Sequence, residues 1–351
     1  MWCISALLLT DYRGDVLNNG QLSRIAGAPR WLFVLSVALV MSMAGALGIV
    51  RATNSQLENV NRVVIAKEVL SPASDGVENY LLVGSDSRAT AHPDDPDYAV
   101  VGSEAASPGM RSDTMIVVSY NTKTSSVATM SIPRDLWVQI GDTSSHNKIN
   151  AAYHKGADVL IRSVQRALNI PIHHYIDVNF SGFKKIVDAI GGVHICVAHA
   201  SRDKATGFYI GKKACKLQNG QEALRYARSR HFEEKIDGEW VTDATGDVGR
   251  GARQRAFIAA LVKDAAKYVI EHPLRAHTVM DAMTSAVSVD QNMSLLDLAH
   301  KLRPLGDGTS KSYALPVDSD MNNGTFVFRL NRDSQPVLAY FAGLSPVAPE
   351  K

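Results

Sequence analysis

The segment Trp31–Val50 restricts the structures that this chain can adopt more than any other part of the sequence. It holds twenty residues without a charge, is rich in Leu, Val, Ala and Met, and is bounded by Arg30 and Arg51. A helix of this length spans a hydrocarbon core of roughly 30 Å. The hydrophobic region of a signal peptide, about 7–15 residues, is shorter, and a helix buried in a protein core is the other alternative. The segment is predicted to be a single transmembrane helix, because no later stretch is comparably apolar.

The predicted helix divides the chain into four parts. Residues 1–30 form a short tail, 31–50 the transmembrane helix, 51–78 a stalk and 79–346 one large folded domain. Arginines flank the helix on both sides in nearly equal number, so the positive-inside rule leaves its orientation undecided.

Two cysteines bear on the orientation. Cys196 and Cys215 lie 19 residues apart in the large domain. One even pair fits a disulfide bond in an oxidising compartment, and two unrelated buried thiols fit the spacing equally well. Together with a membrane anchor, the pair favours a large domain outside the cytoplasm and a cytoplasmic tail.

The overall charge bears on possible partners. The formal net charge is only +2 over 351 residues. Proteins that bind nucleic acid through its backbone usually carry a strongly basic domain. The composition therefore gives no support for nucleic-acid binding, and an anionic ligand or membrane has to be met by a local patch.

Short apolar strands alternate with helices from residue 79 onward. The strands Thr114–Tyr120 and Val127–Ile132 are joined by a hairpin-type turn. Helical spacing of apolar residues predicts helices at Asn147–Leu168 and Gly249–Ile270. Strands interleaved with helices indicate an α/β domain of three layers, αβα, and the hairpin makes its central sheet mixed.

Two long polar segments lie beside charged motifs, Ala89–Pro108 and Phe232–Gly246. Long loops in compact domains are often functional. Both segments are therefore predicted to be loops that form a mobile rim around a site.

Two carboxylates stand next to predicted strands. Asp86 follows the strand Tyr80–Val83, at the edge where open α/β sheets bind ligands, and Asp113 precedes Thr114–Tyr120. If these strands are antiparallel neighbours, both carboxylates reach one edge. One or two carboxylates completed by phosphate oxygens suit Mg²⁺. Taken alone, each aspartate is more typical of a turn or capping residue.

Arginines form the rest of the candidate site. Arg134 comes directly after a strand and Pro133, and Arg228 and Arg230 end a helix. On the next helix the spacing puts three polar side chains on one face, Asp247, Arg250 and Gln254. Arginine forks bind phosphate oxygens in bidentate fashion, so the set indicates a pyrophosphate site. The alternative is a set of solvated arginines that complement helix dipoles.

Eight short motifs, in this order, resemble those of the LytR-CpsA-Psr family of cell-wall glycopolymer ligases. The motifs are YLLVGSDSR at Tyr80–Arg88, RSDT at Arg111–Thr114, MSIPRD at Met130–Asp135, KINAAY at Lys148–Tyr153, DAIGGV at Asp188–Val193, NGQEAL at Asn219–Leu224, ARSRH at Ala227–His231 and DVGRGARQ at Asp247–Gln254. The resemblance covers about half the chain, and a single amino-terminal membrane span is also typical of the family.

The resemblance implies an enzyme in the cell membrane whose catalytic domain is extracytoplasmic. Such an enzyme takes a glycopolymer from a polyprenyl-pyrophosphate carrier and joins it to peptidoglycan through a phosphodiester. By motif position, Asp86 and Asp113 would hold Mg²⁺, or Mn²⁺ in its place. Asp247 and Arg134 are the expected catalytic residues. The expected pyrophosphate contacts are Arg88, Arg134, Lys148, Arg228, Arg230, Arg250 and Gln254.

Three further expectations come from the resemblance. Cys196 and Cys215 resemble a pair in actinobacterial members, which implies a disulfide bond and makes arabinogalactan a possible polymer. The polyprenyl tail is expected in an apolar slot between sheet and helices. Two alternative functions stay open: a polyprenyl-pyrophosphate phosphatase, which would use the same arginines with water as the acceptor, and a lipid-carrier or regulatory protein without activity.

Overall fold

The computed structural model describes residues 60–72, 76–85, 112–346 and 349. The predicted tail, transmembrane helix and first polar loop lie outside the described residues. Within them, no helix is both long and apolar enough to cross a bilayer.

The described part of the chain alternates strands and helices. Its strands are β1 Asn61–Val63, β2 Val77–Ser85, β3 Ser112–Asn121, β4 Val127–Ser131, β5 Trp137–Gln139, β6 His146–Lys148, β7 His174–Asn179, β8 Val193–Val197, β9 Ser201–Asp203, β10 Phe208–Ile210, β11 Ala214–Gln218, β12 Glu233–Ile236, β13 Glu239–Thr242, β14 Val287–Asp290, β15 Lys311–Ala314, β16 Val317–Asn322 and β17 Thr325–Leu330. Its α-helices are α1 Asn150–Tyr153, α2 Ala157–Leu168, α3 Phe180–Ala189, α4 Gly220–Arg228, α5 Gly246–Glu271, α6 Ala276–Ala286, α7 Leu295–Gly306 and α8 Ser334–Phe341.

Seven of these strands form a central mixed sheet in the order β1-β14-β7-β2-β3-β4-β15. The pairs β1 with β14, β7 with β2, and β4 with β15 are parallel. The other neighbours are antiparallel, including the hairpin β3–β4. The predicted mixed sheet is confirmed. The strands β2, β4 and β7 end at one edge, because β2 and β7 are parallel and β4 reverses twice relative to β2.

Apolar side chains cover both faces of this sheet. Leu81 and Val117 belong to a core that includes residues of α2 and α8. Their neighbours Tyr80 and Ile116 point to the opposite face, where residues of α5 and α7 pack. Alternation along a strand sends successive side chains to opposite faces, so both faces are covered by helices, as predicted for three layers.

The predicted helix Asn147–Leu168 is wrong in its first half. Gly156 has a φ of +106°, a conformation that interrupts a helix and that glycine adopts at little cost. The segment therefore divides into β6, the short α1 and the amphipathic α2. In contrast, α5 matches the predicted Gly249–Ile270 closely and stops before Pro273.

The predicted loop Phe232–Gly246 is also wrong, because it folds into the hairpin β12–β13. Asp237 and Gly238 both have positive φ, 50° and 90°, and Asp-Gly is a favoured pair for a two-residue hairpin turn. This hairpin joins β9 and β10 in a four-stranded sheet ordered β10-β9-β12-β13.

A separate ribbon of β8 and β11 carries the two cysteines. Cys196 and Cys215 face each other in its register, and their sulfur atoms are bonded at 2.07 Å. The bond closes a segment 19 residues long.

Replacing both cysteines by serine is expected to lower the free energy of unfolding by roughly 3 kcal/mol. The reason is that closing a loop of this length reduces the conformational entropy of the unfolded chain by a corresponding amount. Thermal unfolding with and without reductant measures the effect. Cys3→Ser is the matched control, since it leaves the bond intact. Equal stability of the double variant and the parent chain would contradict the prediction.

A buried ionic network lies at the amino-terminal end of β2. His174 lies between two carboxylates, 3.2 Å from Glu78 and 3.0 Å from Asp290. Burial lowers the pKa of His174, but the hydrogen bonds to Asp290 and Glu78 outweigh it and raise that pKa to about 9. Burial raises the pKa of Glu78, and hydrogen bonds from His174, Lys301 and Tyr80 outweigh it and lower the pKa to about 2.

Stability is therefore expected to fall at both ends of the pH scale. The contribution of His174 is complete below its ordinary pKa of 6.5 and is lost as the pH rises through about 9. The contribution of Glu78 is complete above 4.5 and is lost as the pH falls towards 2. We expect unfolding free energy to drop by roughly 2 kcal/mol between pH 6 and 9.5. In His174→Gln this alkaline slope should flatten, and an unchanged slope would contradict the assignment.

Candidate functional site

A cavity of about 560 Å³ lies between one face of the central sheet and five helices, α3, α4, α5, α6 and α7. Its wall is mainly aliphatic and aromatic. The wall includes Leu82, Ile176, Val178, Phe180, Phe183, Ile186, Phe257, Leu261, Ala265, Val279, Met283, Leu298 and Leu302. The helices α3 and α6 approach closely at Gly182, where an added Cβ would collide with the backbone of Ala286.

The polar residues of the cavity come from the edge where β2, β4 and β7 end. They are Thr114, Arg134, Asn179, Asp203, Thr206, Arg228, Arg230, His231, Arg250 and Gln254, so four arginines face one carboxylate. The cavity thus has an apolar wall and a cationic mouth. This combination suits a ligand with a long apolar part and an anionic head.

Asp247 lies between two of the arginines at the mouth. Its Oδ1 atom is 2.6 Å from Nη2 of Arg250 and 3.9 Å from Nε of Arg134. Arg250 is only 3% exposed. A buried guanidinium needs a counter-charge, so the carboxylate of Asp247 holds Arg250 against the mouth and orients Arg134.

A second carboxylate reaches Arg134 from the neighbouring position. Oδ2 of Asp135 is 3.4 Å from Nε of Arg134, and its Oδ1 is 2.8 Å from Nζ of Lys148. Lys148 therefore contacts Asp135 and is not among the residues that line the described part of the cavity.

The turn after α4 presents Arg228 and Arg230. The Arg228 guanidinium lies 4.7 Å above the ring of Phe180. Between the two arginines, Ser229 is fully buried and donates through its hydroxyl to Asp203 at 2.6 Å. Both flanking arginines line the cavity.

Arg253 and Gln254 fasten this turn to α5. Gln254 donates to the carbonyl of Ala227 at 3.0 Å, and Arg253 donates to the carbonyl of Ser229 at 3.1 Å. Arg253 also pairs with Asp243 at 2.6 Å. Two hydrogen bonds therefore join the helix to the arginine turn.

The predicted metal ligands are only partly described. Asp86 and Arg88 lie outside the described residues, and of Asp113 only the backbone is described. In the register of β2 and β3, Gly84 pairs with Thr114 and Ser85 with Ser112. Asp113 is the extra residue of this bulge, so its backbone lies beside the end of β2. The last residue of β2 is Ser85, which directly precedes Asp86 in the sequence. No group of three or more metal-ligating side chains occurs within the described residues.

Asp203 is a residue of this site that sequence reasoning missed. It is fully buried and accepts hydrogen bonds from Ser229 and from the backbone N–H groups of Ala205, Thr206 and His231. Burial favours its protonated form, but these bonds outweigh it and hold the pKa of Asp203 below its usual range. An aspartate before a glycine-containing turn was the available signal.

Arg255 and Asp177 were missed too. Arg255 is 7% exposed and donates to the hydroxyl groups of Ser131 and Ser312. Burial lowers its pKa to about 10. Asp177 accepts from Ser85, Tyr153 and Tyr175, and burial outweighs these bonds and raises its pKa. The three hydroxyl groups tie the end of β2 to β7 and α1.

A family model for the LytR_cpsA_psr family matches residues 46–339. A polyisoprenyl-teichoic acid–peptidoglycan teichoic acid transferase, TagU of Halalkalibacterium halodurans, is 36% identical over 181 residues, 51% of this chain and 55% of that protein. TagV of Bacillus subtilis, with the same transferase name, is 38% identical over 174 residues, 47% of this chain and 40% of that protein. The chain spans about half the length of the curated relatives it matches.

Solved structures share the fold. A LytR-Csp2A-Psr enzyme from Actinomyces oris superposes with a TM-score of 0.61 at 23% identity, covering 81% of this chain and 96% of that one. TagV of B. subtilis superposes with a TM-score of 0.57 at 26% identity, covering 78% and 100%.

Proposed function

Because the chain belongs to the LytR-CpsA-Psr family, we propose that it transfers a glycopolymer from a polyprenyl-pyrophosphate carrier to peptidoglycan. The observation that carries this proposal is the cavity with an apolar wall and a cationic mouth. The named relatives TagU and TagV are transferases of this kind for teichoic acid. The apolar wall is the binding site for the polyprenyl tail, and the mouth is the site for the pyrophosphate.

The arginines of the mouth bind the pyrophosphate oxygens. Arg134 comes from the segment after β4, Arg250 and Gln254 from α5, and Arg228 and Arg230 from the end of α4 and the turn after it. Phosphoryl transfer depends mainly on positioning and charge stabilisation. Arginines fixed by Asp247, Asp203 and Arg253 provide both, because little reorganisation is needed when charge develops.

Mg²⁺ is the proposed cofactor, with Asp86 and Asp113 as its protein ligands and Mn²⁺ as a substitute. The bulge that brings Asp113 to the end of β2 supports this pair, since position 86 follows directly. Two carboxylates leave coordination positions for phosphate oxygens, as Mg²⁺ prefers. When bound, the ion would neutralise charge on the pyrophosphate.

The proposed reaction exchanges one phosphorus–oxygen bond for another. A peptidoglycan hydroxyl oxygen attacks the phosphorus that carries the glycan, and the bond from that phosphorus to the bridging oxygen breaks. The products are a glycan–phosphodiester–peptidoglycan and polyprenyl phosphate. Asp247 accepts the hydroxyl proton, and its contacts with Arg250 and Arg134 keep it at the mouth.

We further propose that the enzyme is anchored by residues 31–50 with its catalytic domain outside the cytoplasm. The uncharged composition of that segment supports the anchor, and the bonded cysteines support an oxidising compartment.

The full chain in detergent, given a polyprenyl-pyrophosphate glycan, Mg²⁺ and peptidoglycan fragments, tests the proposal. Mass spectrometry should detect a new phosphodiester and polyprenyl phosphate in equal amounts, and chelation should abolish both. Lipid phosphate released without a joined product would show a phosphatase. Tight lipid binding without turnover would show a carrier protein.

Filling the cavity should weaken lipid binding selectively. Ala265 lines the cavity, and the adjacent Ala266 on the same helix is exposed. We expect Ala265→Phe to raise the KM for a long-tailed donor about tenfold, because the ring displaces apolar contacts worth more than 1 kcal/mol. The KM for a donor with a ten-carbon tail should change much less. Ala266→Phe is the matched control. Equal KM values for the two variants would contradict the assignment of the tail.

A further inference from the structure

We propose that the folded domain contacts an anionic lipid bilayer through the edge of the central sheet opposite the cavity mouth, hereafter the base. The base is made of described residues and is separate from the predicted anchor at residues 31–50. The contact goes beyond the proposed transfer reaction and rests only on the membrane location proposed above.

The directions of the strands place Val64 at the base. The strands β2, β4 and β7 end at the mouth. Since β14 is antiparallel to β7, and β1 is parallel to β14, both β14 and β1 end at the opposite edge. Val64 directly follows β1 and is 83% exposed. This side chain therefore meets solvent at the base.

Leu344 reaches the base from the carboxyl-terminal part of the chain. Because β2 ends at the mouth, its first residue, Val77, lies at the base. A Cβ added at Gly343 would come within 3.0 Å of the Val77 side chain. Leu344 is the next residue and is 77% exposed, so it is a second apolar side chain at this edge.

The end of α5 brings two more apolar side chains to the base. The helix starts at the mouth, and its Lys263 backbone packs against Gly306, where an added Cβ would come within 3.0 Å. Gly306 lies shortly before β15, which begins at the base because it is parallel to β4. Ile270 lies about 10 Å further along the helix axis. Ile270 and the following Leu274 are 79% and 90% exposed, so they project at the base.

These four side chains are the large apolar ones that are more than three-quarters exposed in the described part of the chain. Single exposed apolar side chains are ordinary on a soluble protein. Here all four share one edge, although they come from three separate segments of the sequence. A shared position of this kind indicates a surface that meets an apolar partner.

The charge around these side chains favours anionic lipid. Four basic residues and one carboxylate lie within three sequence positions of them, a net charge of +3: Arg62, Lys67, Lys267, Arg275 and Glu271. Glu68, one position further, is paired with Arg162. Each Lys or Arg near an anionic membrane surface contributes about 1 kcal/mol of attraction.

The hairpin β12–β13 beside the mouth has the opposite charge. It also exposes two apolar side chains, Ile236 and Val241. Residues 233–239, however, contain four carboxylates and one lysine, a net charge of −3. An anionic bilayer is therefore attracted by the base and repelled by this hairpin.

The length of the chain before β1 agrees with a contact at the base. Ten residues, 51–60, connect the proposed anchor with β1, and they span at most about 35 Å. The strand β1 is only three residues long, so its first residue lies about 10 Å from Val64. The connection is long enough for the base to touch the bilayer. It also keeps the domain at the membrane surface, where tethering makes a weak contact effective.

The contact would also give the cavity a direction. Arg250 lines the cavity at the mouth, and Ala265 is the last residue of α5 that lines it, about 22 Å closer to the base. With the base on the bilayer, a lipid tail in the cavity points towards the membrane and a pyrophosphate at the mouth points away from it. This direction of the tail rests on the proposed function, whereas the contact itself does not.

Fluorescence quenching on the full chain in vesicles of phosphatidylglycerol tests the contact without donor or metal. In a Cys3→Ser background the bonded pair are the only other cysteines, so Leu274→Cys carries a single fluorescent label. Val241→Cys, 47% exposed on the hairpin β12–β13, is the matched control. We expect nitroxide-labelled phospholipid to remove more than half of the fluorescence at 274 and almost none at 241. Iodide in the water should quench the two labels in the reverse order.

Two further arms test the apolar and the charged part of the contact. Ile270→Glu, followed through a label at Val64→Cys, should weaken the contact about tenfold, because it removes an apolar side chain and adds a repelled charge. Val241→Glu, followed through the same label, should change nothing. Replacement of phosphatidylglycerol by phosphatidylcholine should lower the quenching by nitroxide lipid at 274.

Equal quenching at 274 and 241, no effect of Ile270→Glu, or no effect of the neutral lipid would overturn the inference. Protection of 274 from iodide without quenching by nitroxide lipid would show a protein on the base and would overturn it too. Flotation of the parent chain with the vesicles separates this result from the proposed anchor. A chain that does not float overturns both, whereas a floating chain with an unquenched label at 274 overturns the contact alone.

Discussion

Arg134→Ala is expected to lower the rate of glycopolymer transfer about 10³-fold, with the fold unchanged. Arg134 lies at the cavity mouth between Asp135 and Asp247, and its side chain is 22% exposed. Removal of one fixed cation that stabilises charge in the transition state of phosphoryl transfer costs a factor of this size. Initial rates of polyprenyl phosphate release, with circular dichroism as a check of folding, measure it.

Two controls sharpen the result. Arg134→Lys keeps the positive charge but loses the two parallel N–H donors of the guanidinium group, so its rate should lie between those of Arg134→Ala and the parent. Arg329→Ala removes an arginine on the hairpin β16–β17 that pairs with Asp320 and does not line the described part of the cavity, and its rate should equal that of the parent. A rate for Arg134→Ala within about threefold of the parent would remove Arg134 from the site.

Asp203→Ala is expected to destabilise the fold by about 3 kcal/mol and to abolish most activity. The substitution leaves the Ser229 hydroxyl and three backbone N–H groups without their acceptor in a buried position. Each unsatisfied buried donor costs about 1–3 kcal/mol, less what water recovers. Denaturant unfolding followed by activity assays at low temperature separates the two effects.

Asp237→Ala is the matched control for this variant. Asp237 is an aspartate at the exposed hairpin turn of the same sheet, so its loss should change the folding free energy much less. If Asp203→Ala were as stable as Asp237→Ala, the buried hydrogen bonds of Asp203 would not hold the arginine turn.

The sequence predicted the elements whose signals are local. The hairpin β3–β4 has apolar runs on both sides of a polar turn, and α5 has a long helical spacing that stops at Pro273. The strand β14 was missed because Val287–Asp290 is short and its partner β1 lies more than 200 residues earlier. The helix α6 was missed because its N-cap, Arg275, makes no side-chain capping bond.

The candidate site divides in the same way. The arginines could be selected from their motifs, and four of them, Arg134, Arg228, Arg230 and Arg250, line one cavity. The residues that orient them could not be selected, because the contact of Asp203 with Ser229 spans 26 positions. The apolar wall could not be predicted either, since five helices and three strands supply it and no single element carries a signal for it.

The contact at Gly182 fixes the distance between two helices, α3 and α6, that line the cavity. Because α3 already touches the backbone of Ala286, any side chain at 182 would force the two helices apart. Substitution of Met283 or Val279 by smaller residues would enlarge the cavity locally, and the backbone contact between α3 and α6 would stay in place. An isoprenoid tail is a repeat of one five-carbon unit, so its width is the same however many units it contains. A larger side chain at position 182 would therefore separate α3 from α6 and loosen the apolar wall around the units of the tail that lie between them.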